Sequence, residues 1–312
     1  MKTAVVTGAN GFIGKAVTLK LLEEGYSVFA VVTDTKGLSD IHDPRLVIVQ
    51  AFFQDYPDLP NKISAPIDLF FHFAWQGVWG PAFQDYGLQM SNAVNAGKAM
   101  EVAQKLRAKK FILASTVNVL ETKKKLLDSH VSGLRATTNY AMAKISAEMI
   151  CRTLAAKGQT DFNCAYIAMA YGPNNFSLMV PNVVIAKLNA GISPDLVAGN
   201  GLYDLIYIDD IARGFFAIGE KGHPMTSYYL GHSHLKTFKA LFSDVGRIVN
   251  PEVKLNFGAY PDDNSLDYSM IDLNGLKNDT GFEPSANFED SIKTTSRFIQ
   301  QSSFDFLGGK KA

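Results

Sequence analysis

Short apolar runs recur along the first half of the chain and are separated by longer segments with helical periodicity. The apolar runs lie at 4–6, 27–32, 46–49, 69–73, 110–114 and, later, 164–168. Helix-length segments lie between several of them, at 12–24, 82–105 and 139–156. Strands that alternate with helices predict a parallel sheet covered on both faces, with its ligand-binding loops at the carboxyl ends of the strands.

Three glycines follow the first apolar run directly. Gly8, Gly11 and Gly14 stand between a strand predicted at 2–6 and an amphipathic helix predicted at 15–24. Gly8 permits a sharp turn, Gly11 lets backbone amides approach a pyrophosphate, and Gly14 lets the helix pack closely on the strand. Because the N-terminus of a helix also favours an anion, the pattern predicts a dinucleotide-binding turn.

The composition of the chain changes after Ala170. Glycines and prolines become more frequent and the apolar segments shorter, which indicates a smaller lobe, while a helix predicted at 209–219 returns to the sheet. We therefore predict an α/β fold with a Rossmann-type doubly wound parallel sheet, formed by 1–170 and 209–231. A smaller C-terminal α/β substrate-binding lobe is expected at 171–208 and 232–312.

Charge and cysteine content exclude several function classes. The 312 residues include 30 basic and 30 acidic side chains, so no net field favours nucleic acid or an anionic membrane. The longest basic cluster, at 123–125, is predicted to be a solvated loop. No apolar stretch reaches the roughly 20 residues of a membrane span, and from the pattern before the first strand we expect no leader. The two cysteines, Cys151 and Cys164, are too few for a disulfide framework, and we expect both to pack in the core. Neither has the spacing of a metal ligand, so no metal is expected. A reducing cytoplasm is the expected location.

Candidate chemistry lies at the end of the fifth run and in the helix after it. Tyr140 and Lys144 are four residues apart on a predicted helix, so they share a face. A phenol has a pKa of about 10, and a neighbouring ammonium favours its ionised form, so Tyr140 could transfer a proton near neutral pH. Thr116 lies at the end of a predicted strand, where its hydroxyl can bind the same substrate oxygen.

The glycine turn, Thr116 and the Tyr140–Lys144 pair together resemble the extended short-chain dehydrogenase/reductase superfamily, the group of sugar-nucleotide epimerases, dehydratases and reductases. Further segments extend the resemblance over nearly the whole chain. These segments are 68–74, Asn92, 171–173, 205–210, 268–272 and 280–284.

The resemblance implies that a nicotinamide cofactor exchanges a hydride with a sugar while a tyrosine handles the proton. Tyr140 would be the acid/base, Lys144 would bind the nicotinamide ribose and lower the pKa of the phenol, and Thr116 would orient the substrate oxygen. The cofactor-binding residues that it implies are Gly8, Gly11, Phe12, Ile13, Gly14, Thr33, Asp34, Lys36, Phe53, Phe73, Ala74, Trp75, Asn92, Ala114, Tyr140, Lys144 and Ala168.

A homodimer is also expected from the resemblance, because related proteins often pair the helices at 82–105 and 139–156 with those of a second copy. Apolar stripes run along both segments, with Met90 and Val94 on one and Met142 and Met149 on the other. Packing of these stripes within one chain is the alternative.

Two departures bear on the reaction and the cofactor. Val117 and Asn118 stand where dehydratases of this family carry two carboxylates, which disfavours dehydration. Val32 stands where NAD-binding members commonly carry an acid for the ribose, and Lys36 would tolerate a 2′-phosphate, so NADP is slightly favoured over NAD. Asp34 could still reach the ribose, and Lys36 could equally be an exposed turn residue.

A third departure concerns the substrate. Tyr166, Tyr203 and the segment 259–261 stand where family members often place arginines that hold a diphosphate. Lys187, Lys254 or backbone amides would have to replace them. The preferred hypothesis is a reductase of a keto group on a nucleotide sugar, or an epimerase acting through such a ketone. A reductase of a non-nucleotide aldehyde or ketone and a non-catalytic dinucleotide-binding regulator are the alternatives.

Overall fold

The computed structural model describes residues 2–78, 80–128, 130, 134–135, 137–262 and 266–308. The strands of these residues are β1 (Thr3–Thr7), β2 (Ser27–Val32), β3 (Leu46–Gln50), β4 (Leu69–His72), β5 (Lys110–Thr116), β6 (Asp161–Ile167), β7 (Met169–Tyr171), β8 (Asp195–Val197), β9 (Leu202–Tyr203), β10 (Leu205–Tyr207), β11 (Thr226–Leu230), β12 (Lys236–Thr237) and β13 (Asn256–Tyr260). The α-helices are α1 (Phe12–Glu23), α2 (Leu59–Lys62), α3 (Tyr86–Lys105), α4 (Asn118–Leu126), α5 (Thr137–Ala155), α6 (Val180–Asn189), α7 (Ile208–Lys221), α8 (Phe238–Val249), α9 (Gly275–Thr280) and α10 (Phe288–Gln301).

The main sheet is parallel throughout and has the strand order β3-β2-β1-β4-β5-β6-β11. The order reverses between β1 and β4, the position at which open α/β sheets bind ligands. The six apolar runs of the sequence coincide with β1 to β6 to within a few residues, and the helix predicted at 209–219 is α7, which leads into β11. The predicted Rossmann-type sheet is confirmed.

Alternate side chains of β4 point to opposite faces of the sheet and contact different helices. Phe71 packs edge-on against Phe215 of α7, with 6.4 Å between the ring centroids. Its neighbour Phe70 stacks on Phe111 at 5.3 Å, in a row of rings that continues to α5. Helices α5 and α7 therefore cover opposite faces, where α3 packs on α5 and α1 packs on α7.

A second cluster of buried residues lies outside the main sheet, in the C-terminal part of the chain. It includes Ile185 of α6, Phe242 of α8 and Ile292 of α10, all fully buried. Short strand pairs accompany these helices, namely β7 with β10, β8 with β13 and β9 with β12. The smaller C-terminal α/β lobe is thus present, whereas its predicted boundaries at 171–208 and 232–312 stay a prediction.

The residues that follow the last segment of the resemblance are held to α7 by a buried carboxylate. Asp210 accepts hydrogen bonds from the backbone N–H groups of Ser285 and Ala286, at 3.1 and 3.0 Å, and forms an ion pair with Arg213. Asp210 is 2% exposed, so these partners offset the cost of its burial. The acidic start of α7 and the segment that follows α9 therefore form one structural unit.

Two local predictions were wrong. The helix predicted at 82–105 begins at Tyr86, because the Asp85 side chain accepts a hydrogen bond from Leu88 N at 2.9 Å and caps it. The basic cluster at 123–125 is not a loop but part of α4, where Lys125 pairs with the buried Glu121, as does Arg135 from beyond the helix.

The two cysteines are free and buried, as predicted. None of the helices in the described ranges is both long and apolar enough to cross a bilayer.

Candidate active site

The glycine turn is packed tightly against the neighbouring strands. Gly8 has a φ of +68° and donates a hydrogen bond to Val31 O at 2.9 Å. A Cβ atom at Gly8 would lie 2.7 Å from Ala74 N, and one at Gly14 would lie 2.1 Å from Gly8 O. Gly11 donates to Gly8 O at 3.0 Å and closes the turn. Larger residues at Gly8 and Gly14 would push the turn or α1 away from the sheet.

Helix α1 begins without a side-chain cap. Its N-cap residue is Gly11, and its first turn contains no acidic residue. The N–H groups of Phe12, Ile13 and Gly14 therefore have neither an intrahelical acceptor nor a capping side chain. Such an end favours an anion through its free donors and its dipole.

A cavity of about 310 Å³ brings the glycine turn together with the predicted catalytic residues. It lies at the carboxyl ends of β1, β4, β5 and β6, and Lys144 is the one charged side chain among the described residues that line it. The predicted site residues that line it are Gly8, Gly11, Phe12, Ile13, Gly14, Phe73, Trp75, Ala114, Thr116, Tyr140, Lys144 and Ala168.

Lys144 reaches the cavity from α5 and is 5% exposed. Its Nζ donates to Ala114 O at 2.9 Å and lies 3.6 Å from the ring centroid of Trp75. Burial lowers the pKa of Lys144 to about 7, against a smaller opposing effect of Cys164. Its ammonium is therefore close to the point of losing a proton at neutral pH.

Tyr140 lies one turn before Lys144 and is enclosed by aromatic rings. Its ring is edge-on to Trp75, at 6.0 Å between centroids, and to Phe83, at 5.0 Å. Burial raises the pKa of Tyr140 well above the usual value of a phenol. The expectation that Lys144 lowers this pKa is wrong for this structure, because the apolar rings disfavour the phenolate.

Thr116 ends β5 at the cavity. Its Oγ1 accepts a hydrogen bond from Asn118 N at 3.2 Å, which places the start of α4 beside it. A hydroxyl that accepts one bond can still donate its own hydrogen. Thr116 therefore offers a neutral donor on the same cavity wall as Tyr140.

Asp34, which was expected to reach the ribose, and Lys36, which was expected to tolerate a 2′-phosphate, lie away from this cavity. The Asp34 carboxylate accepts from Lys36 N at 2.9 Å and caps the short 3₁₀ helix at Thr35–Leu38. Lys36 lines an adjoining cleft of about 1270 Å³, which also borders Asn10 and Phe12. The turn after β2 thus borders the cleft, not the cavity.

Four other predicted cofactor residues also lie outside the lining. Thr33 O accepts from Gln50, and Phe53 packs edge-on against Tyr56. Ala74 contacts the glycine turn through its backbone. The buried Asn92 amide bonds the N–H and the C=O of one loop residue, at 3.0 and 2.9 Å, and so fixes the loop that follows Trp75.

The positions at which relatives place arginines have structural contacts here. Tyr166 donates to the buried Glu148 at 2.6 Å, and Tyr203 packs edge-on against Phe238 at 5.1 Å. Neither tyrosine lines the cavity, nor do Lys187 and Lys254, in the part of the chain that the structure describes.

The sequence did not predict the apolar wall of the cavity. Val78, Phe83, Met169 and Met179 form it together with Trp75. Phe83 belongs to the 3₁₀ helix at Gly80–Phe83, and Met179 is the N-cap of α6. Single apolar residues in loops carry no periodic signal, so sequence patterns could not identify them.

The sheet, the uncapped helix and the side chains that converge beside it define a dinucleotide-dependent oxidoreductase or epimerase. Comparison with known proteins makes the class specific. Residues 4–231 match the model of the NAD dependent epimerase/dehydratase family, and the chain belongs to that family.

Individual relatives are distant. The chain is 27% identical over 252 residues to UDP-glucose 4-epimerase 2 of Arabidopsis thaliana, covering 69% of this chain and 71% of that protein. It is 24% identical over 320 residues to a trifunctional UDP-glucose 4,6-dehydratase/UDP-4-keto-6-deoxy-D-glucose 3,5-epimerase/UDP-4-keto-L-rhamnose-reductase of the same plant. That match covers 96% of this chain but 47% of the relative, so the chain spans about half of its length.

Among solved structures, UDP-glucose 4-epimerase of Thermotoga maritima, crystallised with UDP-glucose, has the same fold. The TM-score is 0.78 at 22% identity, over 96% of this chain and 98% of that chain.

Proposed function

We propose that the protein transfers a hydride at a sugar carbon of a nucleotide sugar with NAD or NADP, either reducing a 4-keto group or inverting the carbon through such a ketone. The observation that carries the proposal is the meeting of Thr116, Tyr140 and Lys144 with the glycine turn around one cavity. Both plant relatives are named for reactions on UDP sugars, which supports the substrate class.

The residues of the cavity fit a nicotinamide dinucleotide. The free N–H groups of Phe12, Ile13 and Gly14 suit its pyrophosphate. Lys144 has three N–H donors and uses one on Ala114 O, so two can bind ribose hydroxyls. When bound, the nicotinamide supplies or accepts the hydride.

Tyr140 handles the proton in this proposal. Because burial keeps its phenol protonated, Tyr140 can donate a proton to the oxygen of a ketone as that oxygen gains negative charge. Thr116 donates a hydrogen bond to the same oxygen and orients it. In the oxidative direction Tyr140 accepts the proton of the alcohol.

Reduction or epimerisation suits this cavity better than dehydration. Dehydration requires a base that removes a proton from carbon and an acid that protonates the departing hydroxyl. Within the described ranges, no aspartate or glutamate lines the cavity, and Val117 and Asn118 line it where dehydratases would place carboxylates.

Tyr140→Phe tests the mechanism. The variant should bind NADH or NADPH as the wild type does and lose at least about a hundredfold in kcat, since positioned proton transfer is worth that much. Turnover of UDP-glucose and of a UDP-4-keto-6-deoxy sugar is the measurement. Tyr86→Phe, on the exposed first turn of α3, is the matched control. Wild-type turnover by Tyr140→Phe would exclude Tyr140 from the reaction.

For the cofactor we propose a modest preference for NADP. The Asp34 carboxylate is engaged in capping, and Lys36 lines the cleft that adjoins the glycine turn. Lys36→Ala should therefore weaken NADPH binding more than NADH binding in parallel titrations. An equal effect on both cofactors would show that Lys36 does not determine the preference for NADPH over NADH.

A second candidate substrate is an aldehyde or ketone without a nucleotide. The apolar wall of Trp75, Val78, Phe83 and Met179 beside Tyr140 favours it, because such a wall offers few partners for sugar hydroxyls. A thermal-shift panel of UDP-, dTDP-, CDP- and GDP-sugars separates the two candidates. A ligand at a hundredfold its Kd stabilises by about 2.7 kcal/mol, so no shift with any sugar nucleotide would favour the second candidate.

We also propose a homodimer through α3 and α5. Met90, Val94 and Met149 on these helices are 43%, 54% and 56% exposed, whereas Met100 is fully buried within the chain. Exposed apolar residues on neighbouring helices favour contact with a second copy. Sedimentation equilibrium should give twice the mass of the chain, and a monomer would refute the dimer.

A further inference from the structure

We propose that Trp75 is a positioning residue for Lys144, which holds the lysine ammonium on its indole face and is itself fixed by Gln89. The proposal rests on the proposed function in one respect, namely that Lys144 acts as a cation on the bound ribose. It assigns a task to a residue that the sequence indicated only as a cofactor contact.

The ammonium of Lys144 lies directly on the indole. Its Nζ is 3.6 Å from the centroid of Trp75, well within the roughly 6 Å over which a cation is attracted to a ring face. This attraction is strongest for tryptophan and for a cation shielded from water, and Lys144 is 5% exposed. Nζ also donates to Ala114 O, and the Tyr140 ring lies farther away, at 5.7 Å from Nζ to its centroid, so the indole is the nearer of the two ring faces.

The indole is also held by a hydrogen bond at its ring nitrogen. Trp75 Nε1 donates to Gln89 Oε1 at 2.8 Å. Gln89 is fully buried, and its Nε2 donates to Gly77 O at 2.7 Å and to Ala82 O at 2.9 Å. Rotation of the indole would leave the buried Gln89 oxygen without this donor, which disfavours other rotamers.

Other titratable groups around Lys144 differ from it in their pKa values. Tyr140 lies on the same helix, His72 on β4 and Cys164 on β6. Burial lowers the pKa of His72 to about 3 and raises those of Tyr140 and Cys164. Lys144 is thus the member of this group that titrates near neutral pH, and its contact with Trp75 favours the charged form.

A fluorescence titration tests the contact without cofactor or substrate. The chain has two tryptophans, so Trp79→Phe leaves Trp75 as the sole indole. Its emission should change with pH in a step centred at about 7, as the ammonium on its face loses a proton. The step should be absent in Trp79→Phe/Lys144→Met. A step that survives Lys144→Met, or no step in Trp79→Phe, would overturn the proposal.

A pH–rate profile tests the consequence. Without the indole, the Lys144 cation is less favoured, so Trp75→Leu should move the alkaline limb of kcat/KM to lower pH and lose about tenfold at pH 8. Trp75→Phe, which keeps a ring face, should lie between Trp75→Leu and the wild type, as should Gln89→Leu, which frees the indole. A purely structural role would lower activity equally at every pH and would refute the assignment.

The two arms also separate this proposal from the proposed function. A lysine-dependent fluorescence step in a protein that turns over no sugar nucleotide would uphold the Trp75–Lys144 contact and refute the function. Trp75 variants with an unshifted profile, in a protein that Tyr140→Phe inactivates, would uphold the function and refute the role of Trp75.

Discussion

Gly14→Ala tests the close approach of α1 to the glycine turn. The added Cβ would lie 2.1 Å from Gly8 O, 2.8 Å from Gly8 C and 3.0 Å from Ala9 Cα. All three are backbone atoms, so none can rotate away as the end of a side chain does. Helix α1 would have to move by more than an ångström before the first of these distances reached the 3.4 Å of ordinary contact.

The expected loss of stability is modest, whereas the effect on binding is larger. Overpacking typically costs about 1–3 kcal/mol, and the better helix propensity of alanine returns up to about 1 kcal/mol of it. The same shift displaces the N–H groups of Phe12 and Ile13. A misplacement of about 1 Å can lower the rate of a step that depends on such positioning by up to about a hundredfold. We therefore expect a loss of about 1–2 kcal/mol and a Kd for the dinucleotide raised at least about tenfold.

Urea unfolding and NADH titration measure the two effects. Gly87→Ala is the control, because Gly87 lies in the first turn of α3 and its Cβ would meet Asp85 Oδ1 at 3.4 Å, an ordinary contact distance. The control should unfold at the wild-type midpoint or slightly above it. A Gly14→Ala protein with the midpoint and the NADH affinity of the wild type would show that the packing of α1 on the turn is not required.

Two further predictions concern buried titratable groups. Glu148 is 4% exposed, forms an i,i+4 ion pair with Arg152 at 3.1 Å and accepts from Tyr166 and Ser227, each at 2.6 Å. Glu148→Gln should therefore cost about 3 kcal/mol in urea unfolding. Glu289→Gln, in an exposed pair of the same i,i+4 spacing, should leave the midpoint nearly unchanged, and equal losses would contradict the reasoning. Burial lowers the pKa of His72 from 6.5 to about 3. Between pH 6.5 and about pH 3 the unfolded chain therefore binds a proton at this histidine that the folded chain does not. The free energy of unfolding should fall by up to about 5 kcal/mol as the pH decreases through this range. His72→Asn should flatten this slope of the unfolding free energy against pH, and a wild-type slope in the variant would refute it.

Most of the sheet could be predicted from the sequence because inner strands such as β1 and β4 are buried on both faces and therefore appear as continuous apolar runs. The edge strand β3 has such a run although Val47 and Ile48 are exposed. Helix α4 could not, since its residues are mostly polar and its fully buried apolar residues, Val119 and Leu120, are adjacent in the sequence. Besides these two, Glu121 pairs with Lys125 within the helix and with Arg135 from the segment beyond it. The pairing with Arg135 depends on the fold and has no local signal.

The meeting of the candidate catalytic side chains could be predicted from local features of the sequence, whereas their ionisation could not. Tyr140 and Lys144 are related by a single helical turn, and Thr116 by its place at a strand end, both local features. The pKa of Tyr140 depends instead on the rings of Trp75 and Phe83, which come from loops far away in the sequence. From the helical spacing alone we expected a lowered pKa for Tyr140. Burial among those rings raises it instead.

The cavity has two sources of positive charge, one that is present at every pH and one that depends on pH. The N-terminus of α1 presents its N–H groups at every pH, because backbone amides do not titrate. Lys144, whose pKa is about 7, loses its charge progressively as the pH rises through that value. Affinity for the pyrophosphate of a dinucleotide should therefore persist at alkaline pH, while contact with the ribose weakens as the ammonium is lost. Because Trp75 favours the ammonium, it extends the pH range over which both contacts hold the same ligand.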